Sequence, residues 1–199
     1  MTSPAEQPPA EPTYADRVYR SASGIMGGAL LLAIVLWLGG DALFRGEGST
    51  PWLALAGLLF AVPLVVAFTL RPAVFAGADQ LRIRNPFRTI VLPWASVKDV
   101  RATFSVEAFT EDSGKFQLWA VPVSLRQRKR ANRRTGGGDR AEVSQLAQAD
   151  RTVAELRDLS ERSSTRPSAQ GEPVVRWAYE VIAPAAAGLV VLIVLLVVG

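Results

Sequence analysis

The chain predicts a helical membrane anchor carrying an α+β soluble domain, in which an antiparallel β-sheet or barrel is followed by a C-terminal helix. Three observations carry this expectation. Three long runs are apolar and uncharged, a two-residue alternation begins shortly after the second, and an apolar stripe at helical spacing precedes the third.

The first 20 residues, rich in Pro, Glu and Ala up to Thr13, are expected to form a disordered cytoplasmic tail. No charge lies between Arg20 and Asp41, around the strongly apolar centre Ala29 to Leu38, and none lies between Gly48 and Leu70. From Val181 to Gly199 the chain is again uncharged, with Val, Ile and Leu at nearly every position after Gly188. A helix needs roughly 20 such residues to cross a hydrocarbon core on the order of 30 Å. Within a helix every backbone polar group is satisfied without water. Transmembrane helices are therefore expected at residues 21–44, 51–70 and 178–199. Three buried helices of this kind in a soluble protein would need a polar shell that the chain is too short to supply.

Arg17 and Arg20 precede the first run as a signal-peptide n-region would, but Gly39-Gly40-Asp41-Ala42 offers no clear small-x-small cleavage pattern. A retained helical hairpin is the expectation. Of the 22 Lys and Arg, Arg17 and Arg20 come before the first run, Arg45 alone falls between the first two, and the others lie between Arg71 and Arg176. The positive-inside rule then puts the amino terminus and the soluble domain in the cytoplasm of a multi-pass inner-membrane protein. Trp177 and Tyr179 would anchor the third span at the inner interface.

The soluble domain is expected at residues 72–165. Ala73-Val74-Phe75 starts a strand, and Gly77 to Gln80 makes a turn. Leu81 and Ile83 face inward while Arg82 and Arg84 face out, the alternation of a half-buried strand. Asn85-Pro86-Phe87-Arg88 is a turn signal, because Pro presets its φ and Asn tolerates unusual backbone angles. Thr89 to Leu92 is the return strand, ended by Pro93. Trp94 and Val97 supply bulky anchors. Val100 to Phe109 reads as one strand with Val100, Ala102, Phe104 and Val106 on one face. Glu111-Asp112-Ser113-Gly114 is a hairpin turn, where the paired acids are better explained by turn chemistry than by catalysis. A further strand carries Phe116, Leu118, Ala120 and Pro122 on one side.

Thr152 with Glu155 fits a capping box, Asp150 is an alternative cap, and Val153, Leu156 and Leu159 form the apolar stripe of a helix. Arg157 with Glu161 and Asp158 with Arg162 are i,i+4 pairs on its exposed face. Residues 139–149 either extend this helix or stay irregular. Residues 166–177, rich in Ser, Pro, Gly and Gln at their start, form a linker to the third span.

The pattern Asp79-x-Leu81-x-Ile83-x-Asn85-Pro86-Phe87-Arg88-Thr89, followed by Val91-x-Pro93-Trp94-x-x-Val97, resembles bacterial PH-domain proteins of actinobacterial type, which commonly carry two membrane helices before the domain. The resemblance covers about residues 50 to 124, with the helix at 150–163 completing it. It implies a PH-like antiparallel sheet or barrel with a C-terminal helix and a membrane-associated binding or scaffolding role. It carries over no catalytic residues. Only about five strands are visible where that fold has seven, and a long basic insert separates the last of them from the helix.

That insert, residues 126–138, holds Arg126, Arg128, Lys129, Arg130, Arg133 and Arg134 with no acid among them, then Gly136-Gly137-Gly138. It reads as a solvated loop, as a contact for anionic lipid head groups, or as a nucleic-acid contact. Each basic residue near an acidic leaflet contributes about 1 kcal/mol. Nucleic acid is the weakest reading, because no aromatic lies between Arg126 and Arg134 to stack a base. The Gly triplet lacks the Lys-Ser/Thr of a phosphate loop. Arg82, Arg84 and Arg88 form a second candidate surface patch.

The chain has no His and no Cys, which excludes a Ser-His-Asp triad, a Cys nucleophile, imidazole or thiolate metal ligation and disulfides. Neither catalysis, a metal nor a cofactor is expected. Gly24-x-x-x-Gly28 and Gly57-x-x-x-Ala61 allow close helix approach, and Pro63 and Pro184 mark kinks or a first turn. The expected role is a membrane-anchored scaffold that engages a protein partner, with the bilayer and its anionic lipid as further contacts. The alternative is an accessory subunit of a transporter or channel complex.

Overall fold

The structure is a computed structural model that describes residues 17–102, 105–112, 114–121 and 140–198, with side chains placed from 149 onward in the last segment. Among the described residues three helices are long and apolar enough to cross a membrane: Ala22–Arg45, Thr50–Leu70 and Tyr179–Val198. The first, α1 (Ala22–Arg45), begins at Ser21, whose hydroxyl accepts a hydrogen bond from the Gly24 amide at 3.1 Å. The second starts as α2 (Thr50–Val65) with Pro51 in its first turn, where a missing N–H costs nothing. After Pro63 the helix widens into a π-helical turn, Val66–Leu70, in which the Arg71 amide reaches back five residues to the Val66 carbonyl. α2 packs against both of the other spans.

Gly28 sits so close to Thr69 that a Cβ there would overlap it. Gly57, expected to permit close approach, faces open space. The close approach on that side of α2 is made instead by Gly188 of the third span, where a Cβ would lie 2.5 Å from the Phe60 amide nitrogen. In the sequence Gly188 only closes the small-residue run Ala185-Ala186-Ala187, and no Gly stands four residues from it to mark a close-approach motif.

The domain is a sandwich of two antiparallel sheets covered by a helix. Strands β1 (Arg17–Tyr19), β2 (Ala73–Ala76), β3 (Gln80–Arg84), β4 (Arg88–Pro93) and β8 (Val174–Trp177) form the first sheet in that spatial order. The second sheet contains β5 (Val97–Ala102), β6 (Val106–Thr110) and β7 (Lys115–Gln117). Helix α3 (Arg140–Ser163) lays Val153, Leu156 and Leu159 on the core, and the third span is α4 (Tyr179–Val198). The period-two pattern of β3 and β4 holds: Leu81, Ile83, Ile90 and Leu92 are wholly buried. Trp94 is buried with them and gives its indole N–H to the Gly77 carbonyl at 3.0 Å, so the largest core side chain leaves no polar atom unpaired.

Several expectations need correction. Arg17–Tyr19, placed in the disordered tail, is a strand paired with β2, while residues 1–16 lie outside the described residues. Residues 166–177 are not merely a linker. Pro167–Ala169 forms a 3₁₀ turn that buries Ala169, and Val174–Trp177 is β8, paired with β4. With these two, and with one expected strand that divides in two, eight strands among the described residues replace the five visible in the sequence. Both additions are short segments next to a span, too brief to show a period of their own.

The run Val100 to Phe109 is not one strand but the hairpin β5–β6, which reverses between Ala102 and Val106. A register shift between Val97 and Asp99 lets Val97 and Val100 both face the core, which breaks the simple alternation. The strand expected from Phe116 to Pro122 ends at Gln117, although Leu118 and Ala120 are buried as the pattern implied. Helix α3 begins by Arg140, so Thr152 is a buried interior residue rather than a cap. Arg157 does not pair with Glu161. Its guanidinium donates to the Asp99 carboxylate at 3.0 Å and to the Val100 carbonyl at 2.8 Å, tying α3 to β5. The Asp158–Arg162 pair is present.

Candidate functional site

All three spans join the same end of the first sheet. β1 stops two residues short of α1, β2 starts just after the second span, and β8 runs almost directly into α4. Residues Arg17–Tyr19 thus lie on the same side of the spans as the rest of the domain. The Asn85-Pro86-Phe87 turn between β3 and β4 sits at that junction.

The junction is built from polar residues that the turn signal alone does not explain. Asn85 is nearly buried, at 6 % exposure, and its amide works in both directions. Nδ2 donates to the Gln117 carbonyl at 2.9 Å, and Oδ1 accepts from the Trp119 amide at 3.3 Å. One side chain therefore closes the end of the sandwich by joining the first sheet to the chain leaving β7. Arg71, at the end of the second span, donates from Nε to the Asn85 carbonyl at 3.2 Å. Its terminal nitrogens reach the Thr89 hydroxyl at 3.2 Å and the Glu180 carboxylate at 2.6 Å. A single guanidinium thus links the second span, the turn, β4 and the third span. Edge-to-face contacts of Phe68 with Phe87 (5.2 Å) and with Trp119 (5.8 Å) pack the same region, and the Ala178 amide donates to the Phe87 carbonyl at 2.8 Å.

Among the described residues nothing covers the outer face of the first sheet. Val18, Phe75, Arg82, Val91 and Val174 fall in one cross-strand row, with Arg84, Thr89 and Arg176 in the next. Arg82 and Arg84 both lie over the Phe75 ring, their guanidinium carbons 5.7 and 5.8 Å from its centroid, a cation–π arrangement that holds two like charges side by side. Arg88 does not join them. It shares strand parity with Ile90 and Leu92, on the opposite side, and pairs across β4–β8 with Trp177. Arg126, Arg128, Lys129, Arg130, Arg133 and Arg134 lie outside the described residues.

Sequence reasoning missed Arg71, Glu180 and the structural role of Asn85. Two signals pointed there: Arg71 is the first charge after the second apolar run, and Glu180 is the last acid before the third. Among the described residues no group of three or more acids could hold a metal ion.

A two-sheet antiparallel sandwich closed by one helix, joined at one end to helices apolar enough to cross a membrane, has the architecture of a PH-like module. The chain belongs to the bacterial PH-domain family, whose model matches residues 71–187. The match runs from Arg71 into the third span and so includes the polar junction and β8. No curated protein and no solved structure matches the chain.

Proposed function

We propose that this protein is a membrane-anchored, noncatalytic scaffold that presents its PH-like domain at the cytoplasmic face of the inner membrane to a protein partner. The observation that carries the reading is β8. It is an edge strand of the first sheet, and Val174, Val175 and Trp177 on it are 45 %, 42 % and 56 % exposed. Among the described residues no strand pairs with its outer edge, and an apolar edge of this kind is a template for an added strand, a common mode of peptide recognition. The basic insert from Arg126 to Arg134 serves in this reading as a contact with anionic lipid head groups, and the charge asymmetry supports the cytoplasmic orientation.

A photo-crosslinking residue at position 175 of the full-length protein in native membranes should give a discrete protein adduct that Val174→Lys abolishes. The same probe at position 82 should not. Absence of any adduct at 175 sinks the partner reading. Tags at positions 48 and 136 test the orientation, which labelling of 136 from outside the cell would overturn.

A further inference from the structure

An apolar groove of about 340 Å³ runs along the outside of the two packed spans just below the domain. Phe60 forms one wall, Ile182, Ala185 and Leu189 the other, and Phe87 and Trp177 close the end nearest the sheet. The small side chain at 185 leaves the depression, and Gly188 draws α4 tightly onto α2 beside it. Both closing residues flank Arg88, which follows Phe87 in the chain and faces Trp177 across the β4–β8 ladder. Directly opposed strand residues hold their Cβ atoms roughly 5 Å apart. Arg88 is exposed and forms no ion pair among the described residues, whereas Arg71 nearby is taken up by Glu180.

We propose that this groove is a binding site for one acidic phospholipid, with an acyl chain along Ile182, Ala185 and Leu189 and the head-group phosphate on Arg88. The arrangement fits the position at which a bilayer changes from hydrocarbon to head groups. The groove lies beside the start of the third span, and its aromatic end, Phe87 and Trp177, sits where that span meets the domain. Aromatic rings of this kind favour the head-group level. Next to them in chain and ladder stands Arg88, an exposed cation with no carboxylate partner among the described residues. A neutral lipid would fill the groove equally well but leave the guanidinium less well matched, so head-group charge is what the site selects. Arg82 and Arg84 take no part, because they stand on the other face of the sheet. The groove shares Trp177 with the β8 edge, but lipid binding in it does not require a protein partner there.

The test uses full-length protein in phosphatidylcholine nanodiscs doped with phosphatidylglycerol that carries a photoactivatable acyl chain. Adducts are expected on the segment 182–189, and phosphatidylcholine with the same reactive chain should give fewer. Arg88→Gln, an exposed change that leaves the core intact, should lower the phosphatidylglycerol yield roughly fivefold, the factor corresponding to about 1 kcal/mol for one basic side chain at an acidic surface. Ala185→Phe should block the groove and remove adducts from both lipids. Equal labelling by the two lipids, or a yield indifferent to Arg88→Gln, overturns the proposal. So does a crosslink from position 185 to a helix of another chain in place of lipid.

Discussion

The two sheets of the domain have opposite relations to the three long apolar helices. In the first, three of the five strands sit next to one of the long apolar helices, so its orientation relative to those helices is fixed by chain connectivity. In the second, no strand joins a span, and β5 lies instead against helix α3. The sheet that carries the edge strand and the outer arginines is thus the rigidly mounted one. The other is held through the core, through Asn85 and through α3. A surface that must keep a constant position relative to those helices belongs on the first sheet.

The largest expected effect comes from the residue common to both sheets. Trp94→Ala empties the centre of the sandwich and removes the indole bond to Gly77, and deletions of this size in a core cost about 3–5 kcal/mol. The domain should then lose protection in both sheets together when hydrogen exchange is followed in detergent, while the spans keep theirs. Selective loss in one sheet would mean that the two do not share a cooperative core.

Asn85→Ala should cost less, about 1–3 kcal/mol, because it leaves the Gln117 carbonyl and Trp119 amide without partners near the junction. Its effect should fall on β7 before β3 and β4, since the first sheet keeps its ladder and its links to the spans. Equal loosening of both would contradict the difference in mounting. Arg71→Gln is smaller again, about 1 kcal/mol, because Glu180 is largely exposed and water replaces much of the lost pair. It should raise exchange at the Phe87 turn without lowering the melting temperature of the second sheet.

The mounting was only partly legible in the sequence. Period-two patterning located β3 and β4 and the buried Leu81 and Ile83, because half-burial imprints alternation on strands of five or six residues, while Trp94 stood out by its bulk alone. β1 and β8 carry no such imprint: one has three residues, and the other exposes all four of its side chains. The β5–β6 hairpin was read as one strand because apolar residues continue through a reversal without Gly or Pro. Asn85 was recognised as a turn former, yet its side-chain partners lie more than 30 positions away, and no local rule reaches that far. The junction depends on such long-range pairings, so its residues could be noticed singly but not assembled.

The finest contrast concerns how α3 is latched to each sheet. Toward the first sheet, the Tyr19 hydroxyl donates to Glu155 at 2.7 Å, beside the Arg17–Glu155 pair. Burial, with the Glu155 hydrogen bond and charge, pushes the Tyr19 phenol up from 10.0 to about 12. Toward the second sheet, burial raises the Asp99 carboxyl, but the hydrogen bond from Arg101 and the charges of Arg157 and Arg101 outweigh it and hold the group below its usual 3.8. The signs are opposite. A phenol raised in the fold stabilises it fully below about pH 10, and that contribution is lost as pH climbs toward 12. A carboxyl lowered in the fold contributes above its ordinary value, and its contribution disappears as pH falls below 3.8. Tyr19→Phe should therefore remove the late-ionising component from an ultraviolet phenol titration and flatten the alkaline loss of stability. Asp99→Asn should flatten only the acid limb below pH 4. If either substitution altered both limbs, the two latches would be one coupled unit, and the independence of the two sheets at the helix would fail.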